Sequence, residues 1–368
     1  MNTSSSSITR VGLVAALLTA LIAQPSLACT GLRLVSADGG AVVGRTMEFG
    51  FDLQSKALVV PAGHRLSNTL VDPTQGLSYD AKYGFVGANV LGMEMIVDGV
   101  NEKGLYVGSF YFPGYAGYAQ PGPDNQDRAL APEDYGMWLL ANCASIAEVK
   151  QRYNHVVLVP RPIEQLGGDS FAAHFVVHDS TGASVVIEPV DGGLRIYDNP
   201  LGVITNSPTF DWHLTNLRNY INLTVSNVPT VKLDDIDLAG FGQGSGMRGL
   251  PGDSTPPSRF VRAVAYSQAA NQLKTAEETV KQVFHLMNVF DIPVGSVRDH
   301  EEKKVSEDYT LWTTVSDLKN IRWMFRTYDD QSIRSIDVRA ALDAANGKLQ
   351  VIEMNGPQPI TDVSTDFH

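Results

Sequence analysis

The stretch SLACTGLRLVSADGGAVVGRTMEF, residues 26–49, predicts how the fold begins. Two runs of alternating apolar and polar residues flank ADGG at 37–40, which is the pattern of a β-hairpin. The hairpin pairs a strand that begins at Cys29 with a strand that carries Arg45. We therefore expect Cys29 to lie inside a sheet.

The segment before Cys29 has the three parts of a secretory signal peptide. Residues 3–10 are polar with one positive charge, residues 11–23 are apolar, and Ser-Leu-Ala at 26–28 provides small residues at a cleavage site. The apolar run is too short for a membrane anchor, because about 1.5 Å per residue does not cover a hydrocarbon core of roughly 30 Å. We expect a signal peptide at 1–28, a periplasmic or secreted location and no membrane attachment after cleavage.

A lipid anchor on Cys29 is the alternative to simple cleavage. Acylated signal sequences normally carry Leu three residues before the cysteine, and this chain has Ser26 there. The alternative stays open at this point.

Composition favours one large globular domain at 29–368. The chain has 368 residues, 43% of them hydrophobic and 18% charged, so it can bury a large core. Its formal charge of −12 repels phosphate backbones and anionic lipids, which argues against nucleic acid as a partner. Two cysteines do not make a disulfide scaffold, and Cys143, in the apolar stretch MWLLANCAS, is expected to be buried and inert.

Strand patterns dominate the rest of the chain. Alternating runs joined by turn residues predict antiparallel strands at 95–112, 171–198, 309–317, 321–328 and 331–338. Capping boxes predict helices after Ser145 and Thr275, and the second helix carries an apolar stripe, Val280, Val283, Phe284 and Met287. Strand blocks separated by helices, without regular βαβ alternation, indicate antiparallel sheets with helices on their outer faces.

Two apparent ligand motifs do not qualify. GSGMRG at 244–249 resembles a dinucleotide-binding loop, but we expect the prolines at 251, 256 and 257 to prevent the helix that such a loop requires. His174 and His178 lie in a predicted strand, where four residues span about 13 Å and cannot share one metal ion. We expect no metal and no cofactor.

The position of Cys29 suggests a catalytic role. A thiol attacks as thiolate and needs a base, and a free α-amine titrates at about 7.7–8.0 within reach of the same sulfur. After cleavage, one residue can therefore serve as nucleophile and base. Before cleavage the base is held as an amide, so processing and activation coincide.

Several stretches resemble the linear-amide hydrolases that include penicillin V acylases and conjugated bile acid (choloylglycine) hydrolases. They are, in chain order, CTGLRL, GRTMEF, DGVNEKGLYVGSFYFPGYA, GVITNSPTFDWHLTNLRNY and LPGDSTPPSRFVRA. The resemblance implies the α+β fold of N-terminal nucleophile hydrolases, an αββα four-layer sandwich of two antiparallel sheets between helical layers. It also implies a homo-oligomer, commonly a homotetramer.

The resemblance implies a role for six residues. Cys29 matches the nucleophile, Arg45 the arginine beside the thiol, Asn206 the oxyanion-hole asparagine and Arg259 a second active-site arginine. Glu48 stands where many members have Asp bound to the α-amine. Tyr111 matches a position that is often Tyr in penicillin V acylases and Asn in bile acid hydrolases, and its hydroxyl or N–H would complete the oxyanion hole.

An aromatic wall is expected to bind an apolar acyl group next to these residues. Its predicted members are Phe112, Tyr115 and Phe51, although core packing is an alternative for Phe112 and Phe51. The expected function is an exported amidase acting through a Cys29 thioester, with penicillin V or N-acyl-homoserine lactones ahead of bile conjugates. A non-catalytic or lipid-anchored binding protein with the same fold is the alternative from another class.

Overall fold

The structure, a computed structural model, describes residues 28–70, 76–301 and 304–366. The predicted signal peptide, apart from Ala28, lies outside the described residues. No helix within the described ranges is long and apolar enough to cross a membrane.

Antiparallel pairing dominates the fold. The described strands, in chain order, are β1 (Cys29–Val35), β2 (Ala41–Phe49), β3 (Lys56–Val60), β4 (Arg65–Leu66), β5 (Tyr79–Asp80), β6 (Phe85–Ala88), β7 (Asp98–Asn101), β8 (Tyr106–Tyr111), β9 (Ala129–Leu130), β10 (Val157–Leu158), β11 (Ala173–His178), β12 (Ser184–Val190), β13 (Gly193–Asp198), β14 (Val231–Leu233), β15 (Ile236–Leu238), β16 (Val297–Glu301), β17 (Lys304–Asp317), β18 (Arg322–Thr327), β19 (Arg334–Asp337) and β20 (Gln350–Glu353).

Helices lie between the strand blocks. They are α1 (Tyr135–Asn142), α2 (Ile146–Arg152), α3 (Phe210–Asn216), α4 (Pro256–Ala269), α5 (Ala276–Met287) and α6 (Val338–Ala345). Short 3₁₀ turns cover Gln126–Arg128, Pro132–Asp134, Glu164–Leu166, Leu217–Tyr220, Ser245–Met247 and Asn288–Phe290.

Two large sheets form the centre of the molecule. The first has the order β1-β2-β17-β18-β19, with β16 pairing to β17, and the second has the order β13-β12-β11-β8-β7-β6-β3-β20. Neighbouring strands in both sheets are antiparallel. The small pairs β4–β5 and β14–β15 are antiparallel, and β9–β10 is parallel.

Helices cover the outer faces of both sheets. Helices α4 and α5 pack on the first sheet and α1 packs on β7 and β8 of the second. Gly44 on β2 allows the close approach of α5, because a Cβ there would lie 2.4 Å from Cγ1 of Val283. The αββα sandwich expected from the resemblance is confirmed.

The structure confirms the local predictions and corrects one. Strand β1 pairs with β2 across the 37–40 turn, and the hydroxyls of Ser145 and Thr275 accept N–H bonds at the starts of α2 and α5. No α-helix begins directly after the 244–249 loop, as predicted, but the expectation that Pro256 and Pro257 prevent a helix was wrong. Pro256 opens α4, since proline at the first helical position loses no intrahelical hydrogen bond.

Strand alternation sorts the side chains at the start of the fold. Cys29 lies directly opposite Met47 and Gly31 directly opposite Arg45, so these residues share the face of the first sheet that meets the second sheet. Thr30 and Glu48 belong to the opposite face, which α4 covers at β1 and α5 covers at β2. The start of the first sheet can therefore be reached from both the sheet interface and the helical layer.

Candidate active site

Cys29 occupies the first position of β1, an edge strand, and is 2% exposed. The chain around Ile204 runs beside the free edge of β1, and Gly31 and Ile204 exchange backbone hydrogen bonds of 2.9 and 3.0 Å. This bridge brings Asn206 to Cys29, whose backbone nitrogen donates to Oδ1 of Asn206 at 2.8 Å. Residues 177 apart in sequence thus meet at the predicted nucleophile.

Arg45 is fully buried beside the thiol. Its Nη2 lies 3.6 Å from Sγ of Cys29 and also donates to the carbonyl of Ser109 at 2.8 Å. Its Nη1 donates to the carbonyl of Val97 at 2.5 Å. Burial alone would lower the pKa of Arg45, but the Cys29 sulfur and nearby anions raise it. A permanent cation is therefore held against the thiol, where the family resemblance implied it, and this favours the thiolate.

Glu48 is fully buried on the helical side of β2. Its Oε1 accepts a 3.0 Å hydrogen bond from Oγ1 of Thr310, and Oε2 has no hydrogen-bond partner in the part of the chain that the structure describes. Burial raises the pKa of Glu48 to about 7, although the charge of Arg259 opposes the shift. With Ala28 still attached, the Cys29 nitrogen bonds Asn206 rather than Glu48. The contact of Glu48 with the α-amine stays a prediction.

Arg259, on α4, connects the helical layer to the nucleophile. Its Nη2 donates to Oδ1 of Asn206 at 2.7 Å, and its Nη1 donates to the hydroxyl of Thr30 at 2.9 Å and to the carbonyl of Cys29. Burial lowers its pKa to about 10, so the guanidinium remains charged at neutral pH. Arg259 therefore holds both ends of the contact between Cys29 and Asn206.

Asn206 is oriented by these donors. Its Oδ1 accepts from two N–H groups, and its Nδ2 donates to the carbonyl of Tyr111 at 2.9 Å. This pattern defines which side-chain atom is the oxygen. One N–H of Nδ2 remains beyond the bond to Tyr111, as an oxyanion-hole donor requires.

Two buried histidines hold the backbone that carries Asn206, and sequence reasoning did not assign them this position. His213 Nε2 lies 2.9 Å from the carbonyl of Asn206, and His174 Nε2 lies 3.0 Å from the carbonyl of Thr205. His174 Nδ1 lies 3.1 Å from Oε1 of Glu188. The histidines follow no local motif, so only the folded arrangement reveals their contacts.

A small pocket of about 30 Å³ opens onto the thiol. Its lining, mainly apolar, is Cys29, Arg45, Met47, Glu48, Phe49, Leu53, Val90, Leu91, Val97, Ser109, Tyr111, Leu166 and Phe171. Tyr111 is half-buried, and burial raises the pKa of its hydroxyl to about 12. The hydroxyl therefore stays protonated and able to donate.

The other predicted wall residues do not line this cavity. Phe112 is fully buried, and its ring stacks on the ring of His174 with 4.3 Å between the ring centroids. The ring of Tyr115 also stacks on Phe112, with 5.6 Å between the centroids. Phe51 is 42% exposed and contacts the edge of Phe49. The structure thus brings Cys29, Arg45, Glu48, Tyr111, Asn206 and Arg259 together, and Leu53, Val90, Leu166 and Phe171 replace the predicted aromatic wall. These apolar residues carry no sequence signal that distinguishes them from core.

Within residues 28–70, 76–301 and 304–366, no group of three or more His, Cys, Asp or Glu residues could hold a metal ion. The second cysteine, Cys143, is fully buried, and burial raises its pKa to about 12. It is therefore a poor nucleophile. The arrangement around Cys29 instead supplies a thiol, a cation that stabilises the thiolate, and amide donors near an apolar cavity, which suits attack on a carbonyl carbon.

Comparison with known proteins agrees with this chemistry. The profile described as "Linear amide C-N hydrolases, choloylglycine hydrolase family" matches residues 29–349. A bile salt hydrolase/transferase of Clostridium perfringens is 34% identical over 315 residues, covering 84% of this chain and 92% of that protein. A penicillin V acylase of Pectobacterium atrosepticum is 26% identical over 346 residues, covering 88% and 84%. The crystal structure of a variant of conjugated bile acid hydrolase from Clostridium perfringens matches with a TM-score of 0.79 at 29% identity, covering 91% of this chain and 100% of that one.

Proposed function

Because the chain belongs to the choloylglycine hydrolase family of linear amide C–N hydrolases, we propose that it cleaves the amide bond of a small substrate with an apolar acyl group. The candidates are the side-chain amides of penicillin V and of N-acyl-homoserine lactones. The observation that carries this proposal is the Cys29 thiol, 3.6 Å from Arg45, at a mainly apolar cavity.

The proposed reaction has two stages. The mature α-amine of Cys29 takes the thiol proton, and the sulfur attacks the acyl carbonyl carbon. Amide donors, among them Asn206 Nδ2, stabilise the oxyanion, and the amine passes its proton to the leaving nitrogen as the C–N bond breaks. Water, deprotonated by the same amine, then attacks the thioester and releases the carboxylic acid and the thiol.

Hydrolysis of conjugated bile acids is the second candidate function. It is favoured by the 34% identity to a bile salt hydrolase/transferase, compared with 26% to a penicillin V acylase. Tyr111 in the cavity favours the first candidate, since the resemblance associates tyrosine at this position with penicillin V acylases.

A substrate panel separates the two candidates. The mature protein is assayed for amine release from penicillin V, N-acyl-homoserine lactones of several chain lengths, and glycocholate. We expect higher kcat/KM on the first two classes, in the wild type and in Cys143→Ala, and none in Cys29→Ala. Preference for glycocholate would support the second function, and failure on all amides would support a non-catalytic binding protein.

We also propose that the protein is exported and that cleavage exposes Cys29. The support is the polar, apolar and small-residue pattern of residues 1–28. Intact-mass analysis of the protein secreted by a cell tests this directly. A mass that begins at unmodified Cys29 is expected, whereas a diacylglyceryl adduct would block the base and contradict the mechanism.

A homo-oligomer, a tetramer by resemblance, is the proposed assembly. An extended arm at 221–241, which includes β14 and β15, supports it. The arm exposes more than half of each of several apolar side chains, namely Ile221, Val225, Val228, Val231, Leu233, Ile236 and Phe241. A run of apolar side chains of this length is typical of an interface rather than of a monomer's surface.

A further inference from the structure

Asp98, the first residue of β7, is a fully buried carboxylate at the interface of the two sheets. Its Oδ2 lies 4.0 Å from Nη1 of Arg45, which comes from the other sheet. Arg45 in turn contacts the Cys29 sulfur. Arg45 therefore lies between Asp98 and the nucleophile. Neither the sequence motifs nor the proposed reaction assigns Asp98 a role.

The groups around Asp98 are hydrogen-bond donors. The hydroxyl of Tyr106 on β8 donates to Oδ2, and Nε1 of Trp323 on β18 donates to Oδ1 at 2.8 Å. The hydroxyl of Thr314 on β17 also faces the carboxylate. Burial raises the pKa of Asp98, and the charge of Arg45 together with these donors opposes that rise. Such a set of donors suits a carboxylate that accepts hydrogen bonds through both oxygens.

One further titratable group lies in the same layer. The ring of His178, on β11, is 5.7 Å from the ring of Tyr106, and its pKa is held well below its usual range by burial. His178 is thus neutral at physiological pH. The charges around the thiol are those of Asp98 and Arg45 between the two sheets, and of Arg259 and Glu48 on the helical side of the first sheet.

Arg45 has little freedom apart from these contacts. Carbonyls of Val97 and Ser109 accept its N–H groups, and the rings of Phe110 and Trp312 lie 4.7 and 5.1 Å from its guanidinium carbon. The guanidinium therefore lies between two anionic groups, the thiolate on one side and Asp98 on the other. Moving or neutralising one of these anions changes how strongly Arg45 interacts with the other.

We propose that Asp98 is a positioning residue of the active site: it orients Arg45 against Cys29 and limits how strongly the guanidinium stabilises the thiolate. This deepens the proposed function, because it concerns the activation of the same nucleophile. Asp98 then acts only through Arg45: it transfers no proton and touches neither the substrate nor a reacting atom.

The test measures the thiol without any amide substrate. In mature protein carrying Cys143→Ala, the rate of Cys29 alkylation by iodoacetamide is recorded against pH for the wild type at position 98 and for Asp98→Asn. Asparagine keeps the shape and one acceptor but removes the negative charge, so the thiolate loses a nearby anion. We expect the inflection of the alkylation profile to move to lower pH by roughly one unit.

Asp134→Asn is the matched control. Asp134 is an equally buried carboxylate, which accepts hydrogen bonds from Thr69 and lies outside the cavity at Cys29. Its substitution is expected to lower the melting temperature without moving the alkylation profile. If Asp98→Asn does not fold, Trp323→Phe replaces it. Loss of the donor to Oδ1 raises the pKa of Asp98 and favours its neutral form, so the inflection moves to lower pH, as in Asp98→Asn.

The outcomes separate this inference from the proposed function. The inference would be overturned if a folded Asp98→Asn variant had the same alkylation profile as the wild type. The same holds for Trp323→Phe where that variant replaces it, whichever amides the protein hydrolyses. A shifted profile without amide hydrolysis would support the inference and contradict the proposed function. A mature Cys29 that cannot be alkylated at any pH contradicts both.

Discussion

The backbone nitrogen of Cys29 donates to Oδ1 of Asn206 at 2.8 Å, and Arg259 donates to the same oxygen at 2.7 Å. One side-chain oxygen thus links the nucleophile's strand, the segment after the Gly31–Ile204 bridge, and helix α4. The remaining N–H of Asn206 Nδ2 is held in a single orientation by this arrangement.

Replacing Asn206 with alanine removes this link and an oxyanion donor. We expect kcat to fall by about 10²–10³ with a small change in KM, because the donor acts mainly in the transition state. Steady-state kinetics with a thiol titration of active sites measures this. Thr205→Val is the neighbouring control: it removes a hydroxyl bond to the Pro256 carbonyl and should leave kcat per active site unchanged.

Retention of Ala28 should block catalysis but not folding. Ala28 is 4% exposed, its carbonyl accepts from the Glu48 N–H at 3.0 Å, and the site around Cys29 is assembled with this residue attached. A protein that begins at Ala28 should fold and lose activity by about 10²–10⁴, the usual contribution of general base catalysis. Mass spectrometry verifies the extra residue. Full activity with Ala28 present would assign the base to another group.

The Glu48→Gln variant should change the acidic limb of kcat/KM. The pKa of Glu48 is raised to about 7 by burial, and an anion near an amine raises the amine's pKa. Removal of the carboxylate lowers the amine's pKa and also removes a titration near neutral pH, so the acidic limb moves to lower pH. Glu48→Asp should retain substantial activity. If the acidic limb of the kcat/KM profile does not move in Glu48→Gln, Glu48 is not a catalytic residue.

The same titration affects stability with a defined sign. The folded-state pKa of Glu48 lies above the ordinary value of 4.5, so the folded protein binds this proton more tightly than the unfolded chain. The contribution is complete below pH about 4.5 and is lost as the pH rises through about 7. Urea unfolding of the wild type and Glu48→Gln at pH 5 and pH 8 should show a larger loss in the wild type on going to pH 8, and equal losses would contradict the shift.

The two cysteines should behave oppositely. Cys143→Ala removes a buried thiol whose pKa is raised to about 12 and should retain full turnover. Cys29→Ala should fold and show no turnover. Both variants are compared by circular dichroism and by hydrolysis of the best panel substrate. A dead Cys143→Ala with an active Cys29→Ala would reverse the assignment of the nucleophile.

The exposed arm should control assembly. Leu233→Asp and Phe241→Asp each place a charge on a side chain that the proposed oligomer buries, so light scattering should show a smaller particle than the wild type. Ile360→Asp, at an exposed apolar position near the C-terminus, is the control and should leave the mass unchanged. A wild type that is monomeric across micromolar concentrations would refute the proposed assembly.

Much of the fold and the list of catalytic candidates followed from the sequence, because they depend on local chemistry. Alternation of apolar residues around the 37–40 turn predicts the hairpin of β1 and β2, and capping residues predict the starts of α2 and α5. The position of Cys29 after a small-residue site points to a nucleophile with its own base. The family motifs then supply Arg45, Asn206 and Arg259.

The wall of the cavity and the support of the charged groups were decided by the tertiary structure. Phe112 reads as an aromatic binding residue, yet it follows the last residue of β8, is fully buried and stacks on His174. Asp98 and Arg45 are 53 positions apart and belong to different sheets, so no local pattern predicts that their charges meet. Propensity and periodicity act over a few residues, whereas these contacts arise only when two sheets pack face to face and bring distant side chains into one water-excluding layer.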